Sequence, residues 1–241
     1  MPHYKAPSPA SLSARLVKIP AQSYLRDWIY GGIDGTVTTF AVVSGVVGGQ
    51  LSPLVILILG FANLLADGFS MAASNYLGTK SESEQYQHYK AIESNNIETA
   101  PQVKKNDIKE IFSSKGVEGN TLDKVTDAIT ANKSLWIDTL LREQYGLPMA
   151  IRSPYKAALY TFCAFVLFGL VPLLPYVFSI ASPFFWSCLL TGVVFFVIGS
   201  VKSHWSLHSW LHSGVETLAI GAITAFLAYI IGWLLRVYLT T

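Results

Sequence analysis

Two carboxylates set inside long apolar runs constrain this chain more than any other feature. Asp34 lies in the run that begins at Trp28, Asp67 in the run that begins at Pro53, and the short break Gly48-Gly49-Gln50 separates them. Runs of that length match the roughly 20 residues needed to cross a bilayer. Lipid offers an ionised group no solvation, so an acid kept at that depth marks a pathway or a relay. Composition agrees: of 241 residues, 51% are hydrophobic and 13% charged, against about 25% charged in an ordinary soluble domain. The charges gather at 80–156, and a net charge of +2 gives no basis for binding nucleic acid.

These runs predict an all-α integral membrane protein. Its five transmembrane helices fall at about 29–49, 53–77, 157–178, 183–201 and 215–238, with a small three-helix cytoplasmic domain inserted between helices 2 and 3. The domain plan is an N-terminal arm at 1–27, a polar hairpin of helices 1 and 2 at 28–78, a helical insertion at 79–153, and helices 3–5 at 154–241. Pro53 and Pro183 open helices, where a missing N–H costs nothing, and Pro172 and Pro175 close one. The arm lacks the apolar core of a signal peptide; a short amphipathic turn is expected at Leu12–Ile19. Lys18 and Arg26 precede the first span, Lys80 to Lys156 lie between the second and third, and Lys202 follows the fourth, whereas 48–52 and 179–182 carry no Lys or Arg. Basic loops stay cytosolic, which places the N-terminus and the insertion inside and Thr241 outside or in a lumen. Within the insertion, 79–99 continues the second membrane helix, a second helix spans about 102–114, and a third about 121–145.

On helical wheels Gly31, Asp34, Thr38, Gly45 and Gly49 form one stripe of the first span, and Asn63, Asp67, Ser70, Met71 and Ser74 share a face of the second, with Asn75 at its edge. Small residues let membrane helices approach closely, so the two faces are expected to meet inside the protein. At about 1.5 Å per residue the two acids are nearly level below the turn, towards the cytosolic side. Two carboxylates, an amide and a thioether make a binding place for a divalent cation: the oxygens suit Mg²⁺, Ca²⁺ or Mn²⁺, and the thioether of Met71 tilts the choice to Fe²⁺. Neighbouring acids raise each other's pKa, so protons could replace a departing metal. The competing reading makes the acids caps, or partners of Arg26 or Lys80, and Met71 packing.

The segments Arg26-Asp27-Trp28-Ile29-Tyr30-Gly31-Gly32-Ile33-Asp34-Gly35 and Gly60-Phe61-Ala62-Asn63-Leu64-Leu65-Ala66-Asp67-Gly68-Phe69-Ser70-Met71-Ala72-Ala73 resemble the vacuolar iron transporter family, as do Ser213-Gly214-Val215-Glu216-Thr217-Leu218 and Tyr229-Ile230-Ile231-Gly232 near the end. The resemblance implies a five-helix homodimer in a lipid bilayer that exports Fe²⁺, often Mn²⁺, from the cytosol in exchange for protons. Metal is then a transported substrate, with no prosthetic group. Asp34 and Met71 fall on the family's transmembrane metal positions. The resemblance also implies a cytoplasmic domain that collects metal with Glu and Met side chains, and here the chain departs from it. It keeps Glu93 and Asp107 but has Asn96, Lys104 and Gln144 where the family has glutamates, and Leu140 and Leu141 where it has thioethers. Lys104 puts a positive charge where a cation should be collected. Glu82, Glu84, Glu98, Glu110 and Glu143 offer partial substitutes, and the candidate ligand set in the insertion is Glu82, Glu93, Asp107 and Glu110. This pattern matches a bacterial-type member with a reduced metal-binding domain, expected in a bacterial plasma membrane.

Asp34, Asp67 and Met71 are therefore the candidate metal pathway, supported by Thr38, Asn63, Asn75 and Glu216, the last either lining an inner vestibule or lying at headgroup level. His204, His208 and His212 read as a solvated interfacial loop, although the last two are spaced to share a metal on a helix. Cys163 and Cys188 lack ligand spacing and read as small buried hydrophobes. Gly214, Gly221, Ala225, Ala228 and Gly232 form a packing stripe. No nucleophile–base pair, GxSxG, HExxH or phosphate loop points to an enzyme. The alternative to a transporter is a membrane scaffold or regulatory subunit that keeps the fold without moving metal.

Overall fold

Apolar periodicity and proline punctuation yield an entirely helical chain among the described residues. The computed structural model describes residues 23–148, 152–203 and 209–239; the expected turn at Leu12–Ile19 lies outside them. In chain order the helices are α1 (Leu25–Gly48), α2 (Pro53–Thr99), α3 (Pro101–Ser114), α4 (Gly119–Thr130), α5 (Lys133–Glu143), α6 (Pro154–Gly169), α7 (Leu174–Val177), α8 (Pro183–Lys202) and α9 (Trp210–Leu239), with a 3-10 turn at Val171–Leu173 before α7. Among the described residues five helical stretches are long and apolar enough to cross a membrane: α1, α2, the run Pro154–Val177, α8 and α9. Contacts divide the chain into two compact units: an apolar one of Ser23–Leu77 with the chain from Pro154 onward, and a polar one that includes Gly78–Ser153, described over 78–148 and 152–153.

The apolar unit is built on α1, whose glycines admit neighbouring backbones. A Cβ on Gly35 would stand 2.3 Å from the carbonyl oxygen of Phe165 in α6, and one on Gly232 in α9 would stand 2.1 Å from that of Gly45. Only glycine permits either approach. The glycine face of α1 therefore packs on α6 and α9, which corrects the expectation that it faces α2. On α9 the expected small-residue stripe does pack closely, Gly214 against Phe196 and Gly221 against Phe195 of α8. A core of Phe40, Val43, Val46, Ile56, Leu64, Phe165, Leu173 and Tyr176 ties α1, α2, α6 and the proline-rich turn together. The outer surface is apolar as well: Phe69 is 70% exposed and Phe226 63%. Continuous apolar exposure on that scale belongs to a lipid-facing surface. Cys163 and Cys188 are on exposed faces too, contrary to the expectation of burial, because apolar side chains face outward as readily as inward where the surroundings are lipid.

In the polar unit Ile97, Ile108, Trp136, Ile137, Leu140 and Leu141 form a separate core. Leu140 and Leu141 are thus structural members of that core, at 0% and 1% exposure. The expected third helix at 121–145 is two helices. Asn132 breaks it, its side chain accepting from the N–H groups of Ser134 at 3.0 Å and Leu135 at 3.2 Å. An asparagine that caps the first turn of one helix cannot continue the previous one. The last apolar helix begins at Trp210, so His212 is an exposed helical residue and not part of a loop; His204 and His208 lie outside the described residues.

Candidate metal pathway

The polar residues of α2 recur every four positions, at Asn63, Asp67, Met71 and Asn75, and so climb one side of the helix. Each rung has a different environment. Asn63 Nδ2 donates to Thr38 Oγ1 at 3.2 Å and Thr39 Oγ1 at 3.5 Å, while Thr38 Oγ1 itself donates to the Asp34 carbonyl at 2.9 Å. This short chain of bonds holds α2 against the Asp34 turn of α1. Asp67, one helical turn on, is within electrostatic reach of Asp34. Met71 is half-buried beside the apolar core. Asn75 closes the ladder: its amide donates to Asp27 Oδ1 at 2.9 Å, Thr161 Oγ1 at 2.7 Å and the Ala157 carbonyl at 3.3 Å, joining α1, α2 and α6.

Asp34 and Asp67 are not equally enclosed. Asp34 is half-buried, whereas Asp67 lies open on the side of α2 with Ser70 and Ser74. The expectation that both polar faces meet inside one chain therefore holds only for the α1 side. Among the described residues no Lys or Arg pairs with either acid, neither Arg26 nor Lys80 included; Lys80 pairs with Glu84 instead. Two carboxylates without a Lys or Arg partner among the described residues, with a thioether one turn from Asp67 on the same helix, are groups that could bind a divalent cation.

Asp27, in the same sequence motif as Asp34, joins these polar residues through Asn75. It is 3% exposed, in the first turn of α1, where the N-terminal end of the helix favours a negative charge. The available signal was its place seven residues before Asp34, two helical turns away on the same face. Glu216 is exposed at the start of α9 and pairs with Lys202 at 3.5 Å. An apolar cleft of 470 Å³ between α1, α8 and α9 is lined by Phe40, Ser44, Phe184, Thr191 and Tyr229 among others. Its lining carries no charge, so it offers a cation little.

The polar unit treats its acids differently. Lys104 reaches Glu93 Oε2 and Asp107 Oδ2, each at 2.9 Å. Glu93 Oε1 accepts from the Tyr145 hydroxyl at 2.8 Å and from Asn96 Nδ2 at 3.4 Å. Burial pulls the Lys104 pKa down, but the hydrogen bonds and charges of Asp107 and Glu93 outweigh it and hold the ammonium above the ordinary lysine range. Of the four candidate ligands here, Glu93 and Asp107 converge on Lys104, while Glu82 and Glu110 stand exposed. Among the described residues no group of three or more His, Cys, Asp or Glu side chains is arranged to hold a metal.

The VIT family model matches residues 25–233. Vacuolar iron transporter 1 of Arabidopsis thaliana is 31% identical, over 87% of this chain and 85% of its own length. Vacuolar iron transporter 1 of Oryza sativa subsp. japonica is 32% identical over 85% of this chain and 82% of its own. The vacuolar iron transporter of Toxoplasma gondii is 28% identical over 90% and 76%.

Proposed function

The chain belongs to the VIT family, and from that premise we propose that it is a secondary transporter carrying Fe²⁺, and Mn²⁺ as a second substrate, out of the cytosol in exchange for protons. The names of its relatives support iron as the substrate. The observation that carries the reading is the pair Asp34 and Asp67: two acids in electrostatic reach on apolar helices, with no Lys or Arg partner among the described residues. A structural role would call for a counter-charge or full hydrogen bonding, because an unsatisfied buried charge is costly. A transport role calls for the opposite.

In this reading Asp34 and Asp67 neutralise the ion, Met71 supplies a soft ligand that favours Fe²⁺ over Mg²⁺ or Ca²⁺, and Thr38 and Asn63 hold the two helices in register. Protons take the carboxylates when metal leaves, which makes the exchange electrically affordable. In this reading the N-terminus and the Gly78–Ser153 unit lie in the cytosol, which their basic residues support.

The open face of α2 supports a homodimer. Asp67, Ser70 and Ser74 are exposed, and only 22% of the most apolar window of α2 is buried. A second copy related by a twofold axis would cover this face with the same face and enclose both copies' acids. The test is purified protein in liposomes with a pH gradient. We expect Fe²⁺ uptake with proton counterflow, and none from Asp34→Ala. A folded wild type that moves neither Fe²⁺ nor Mn²⁺ would instead favour the scaffold. For the dimer, Ser70→Cys with Cys163 and Cys188 replaced by Ser should cross-link in membranes; a chain that stays monomeric rejects it.

A further inference from the structure

The polar unit contains a buried arrangement that the transport reading does not use. Glu93 is 0% exposed and Lys104 8%. Around the ammonium stand two carboxylates, and behind Glu93 a phenol and an amide. Oxygen donors converging on one buried positive charge are what a hard divalent cation requires. The centre is filled, however, by an atom of the chain itself.

The surroundings make that filling firm. Lys104 lies on α3 one turn before Ile108, which is fully buried against Leu140 and Trp136, so the backbone of α3 fixes where the side chain starts. Asp107 is on the same helix three residues on, and Glu93 comes from α2. The ammonium thus joins α2 to α3, as an inserted ion would. Glu93 Oε2 is fully buried and has no well-aligned hydrogen bond, only the ion pair. Without Lys104 this oxygen would be a bare buried charge. A divalent ion entering beside Lys104 would have to expel an ammonium that has nowhere comparable to go, and Asp107 is the only one of the pair's acids with appreciable exposure, at 30% of its side chain. The neighbouring acids are occupied in the same manner: Asp127 by Lys105, Asp123 by Lys109, Glu143 by Lys115 and Glu98 by Lys133.

We infer that the Glu93–Asp107 pocket is a cation site filled from within, so that the polar unit is complete without metal, and that removing the Lys104 ammonium opens the pocket to an oxygen-preferring divalent cation such as Mn²⁺. The pocket that unites α2 and α3 then has two interchangeable occupants, one covalently attached and one free. This does not depend on the transport reading, since it concerns residues outside the membrane helices.

The experiment uses the full chain in detergent, as wild type, Lys104→Met and the double variant Glu93→Gln/Lys104→Met. Hydrogen exchange of peptides covering 90–112 is measured in EDTA and in MnCl₂, and bound Mn²⁺ is counted by electron paramagnetic resonance. Wild-type exchange should be equal in both buffers. In Lys104→Met, exchange in EDTA should rise about tenfold or more as the α2–α3 contact opens locally, and Mn²⁺ should restore protection with one more ion bound per chain than in wild type. The double variant should gain no ion and show no response. A Lys104→Met protein that folds only when purified in Mn²⁺ also supports the inference; one that fails with and without Mn²⁺, or folds but gains no ion, overturns it. So does wild-type protein whose 90–112 peptides become protected by Mn²⁺. Because the readout is local exchange, failure here leaves the membrane pathway standing, and failure of transport leaves this pocket standing.

Discussion

The two units of this protein keep their acids in opposite ways. In the apolar unit Asp34 feels the charge of Asp67, and among the described residues neither acid has a Lys or Arg partner. In the polar unit Glu93, Asp107, Glu98, Asp123, Asp127 and Glu143 each have a lysine. Carboxylates cost most in the apolar environment, yet it is there that Asp34 and Asp67 lack a basic partner among the described residues, while Asp27 is hydrogen-bonded by Asn75 and Glu216 is paired with Lys202. Satisfied acids hold a structure together, whereas unsatisfied ones hold a place for something that arrives. The contrast separates architecture from traffic within one chain.

The strongest way to break this contrast is to remove an acid from the apolar side. Asp34→Ala should lower the initial rate of Fe²⁺ flux into liposomes by about 100-fold or more while leaving the melting temperature in detergent close to wild type. A variant that lost stability but kept flux would make Asp34 structural and collapse the distinction. The reverse holds for Lys104→Met. Removing one partner of a buried pair costs about 3–5 kcal/mol, so denaturant unfolding of the polar unit should move by that much, with Fe²⁺ flux from the surviving folded protein within about twofold of wild type.

Packing offers a third test. Gly35→Val would drive side-chain atoms into the Phe165 backbone, where even a Cβ would stand 2.3 Å from the carbonyl oxygen, and should cost the apolar unit about 1–3 kcal/mol, read as a lower melting temperature. Asn132→Ala removes the cap of α5 and should cost the polar unit about 1 kcal/mol by denaturant unfolding. The smallest effect is with pH. Hydrogen bonding by Lys115 holds Glu143 below the ordinary glutamate value. A lowered folded pKa contributes stability that is present above the unfolded pKa, near pH 4.3, and lost as pH falls through the folded value. Acid should therefore loosen the polar unit below about pH 4, and Glu143→Gln should flatten part of that slope.

Much of the helical plan was legible because its signals are local. The continuation of the second apolar run through 79–99 required only the absence of a breaker before Pro101, and α2 does run unbroken from Pro53 to Thr99. The helix expected at 102–114 appears as Pro101–Ser114. The break at Asn132 was not legible, because apolar spacing continues across it from Ile129 to Trp136 while the deciding interaction is a cap. Nor was the direction of the α1 glycine face: a stripe of small residues says that something approaches closely, not which helix does. The start of α9 at Trp210 was hidden by a Trp, His and Ser composition that reads as interface. For the site, the spacing of Asn63, Asp67, Met71 and Asn75 could be read from the chain. The burial of Asp27 against Asn75 and Thr161 could not, since it depends on α6, more than eighty residues away from Asn75. The exposure of Asp67 is likewise a property of the packed chain.

The ammonium between Glu93 and Asp107 has one more consequence. A ligand carried on the chain never dissociates, so its occupancy is the same whatever the surrounding metal concentration. A free ion would fill the pocket in proportion to its supply, and the contact between α2 and α3 would then report that supply. With Lys104 in place the contact carries no such information. The Glu93–Lys104–Asp107 contact is thus constant by its own chemistry, and a metal-dependent change there is the outcome that the inference excludes.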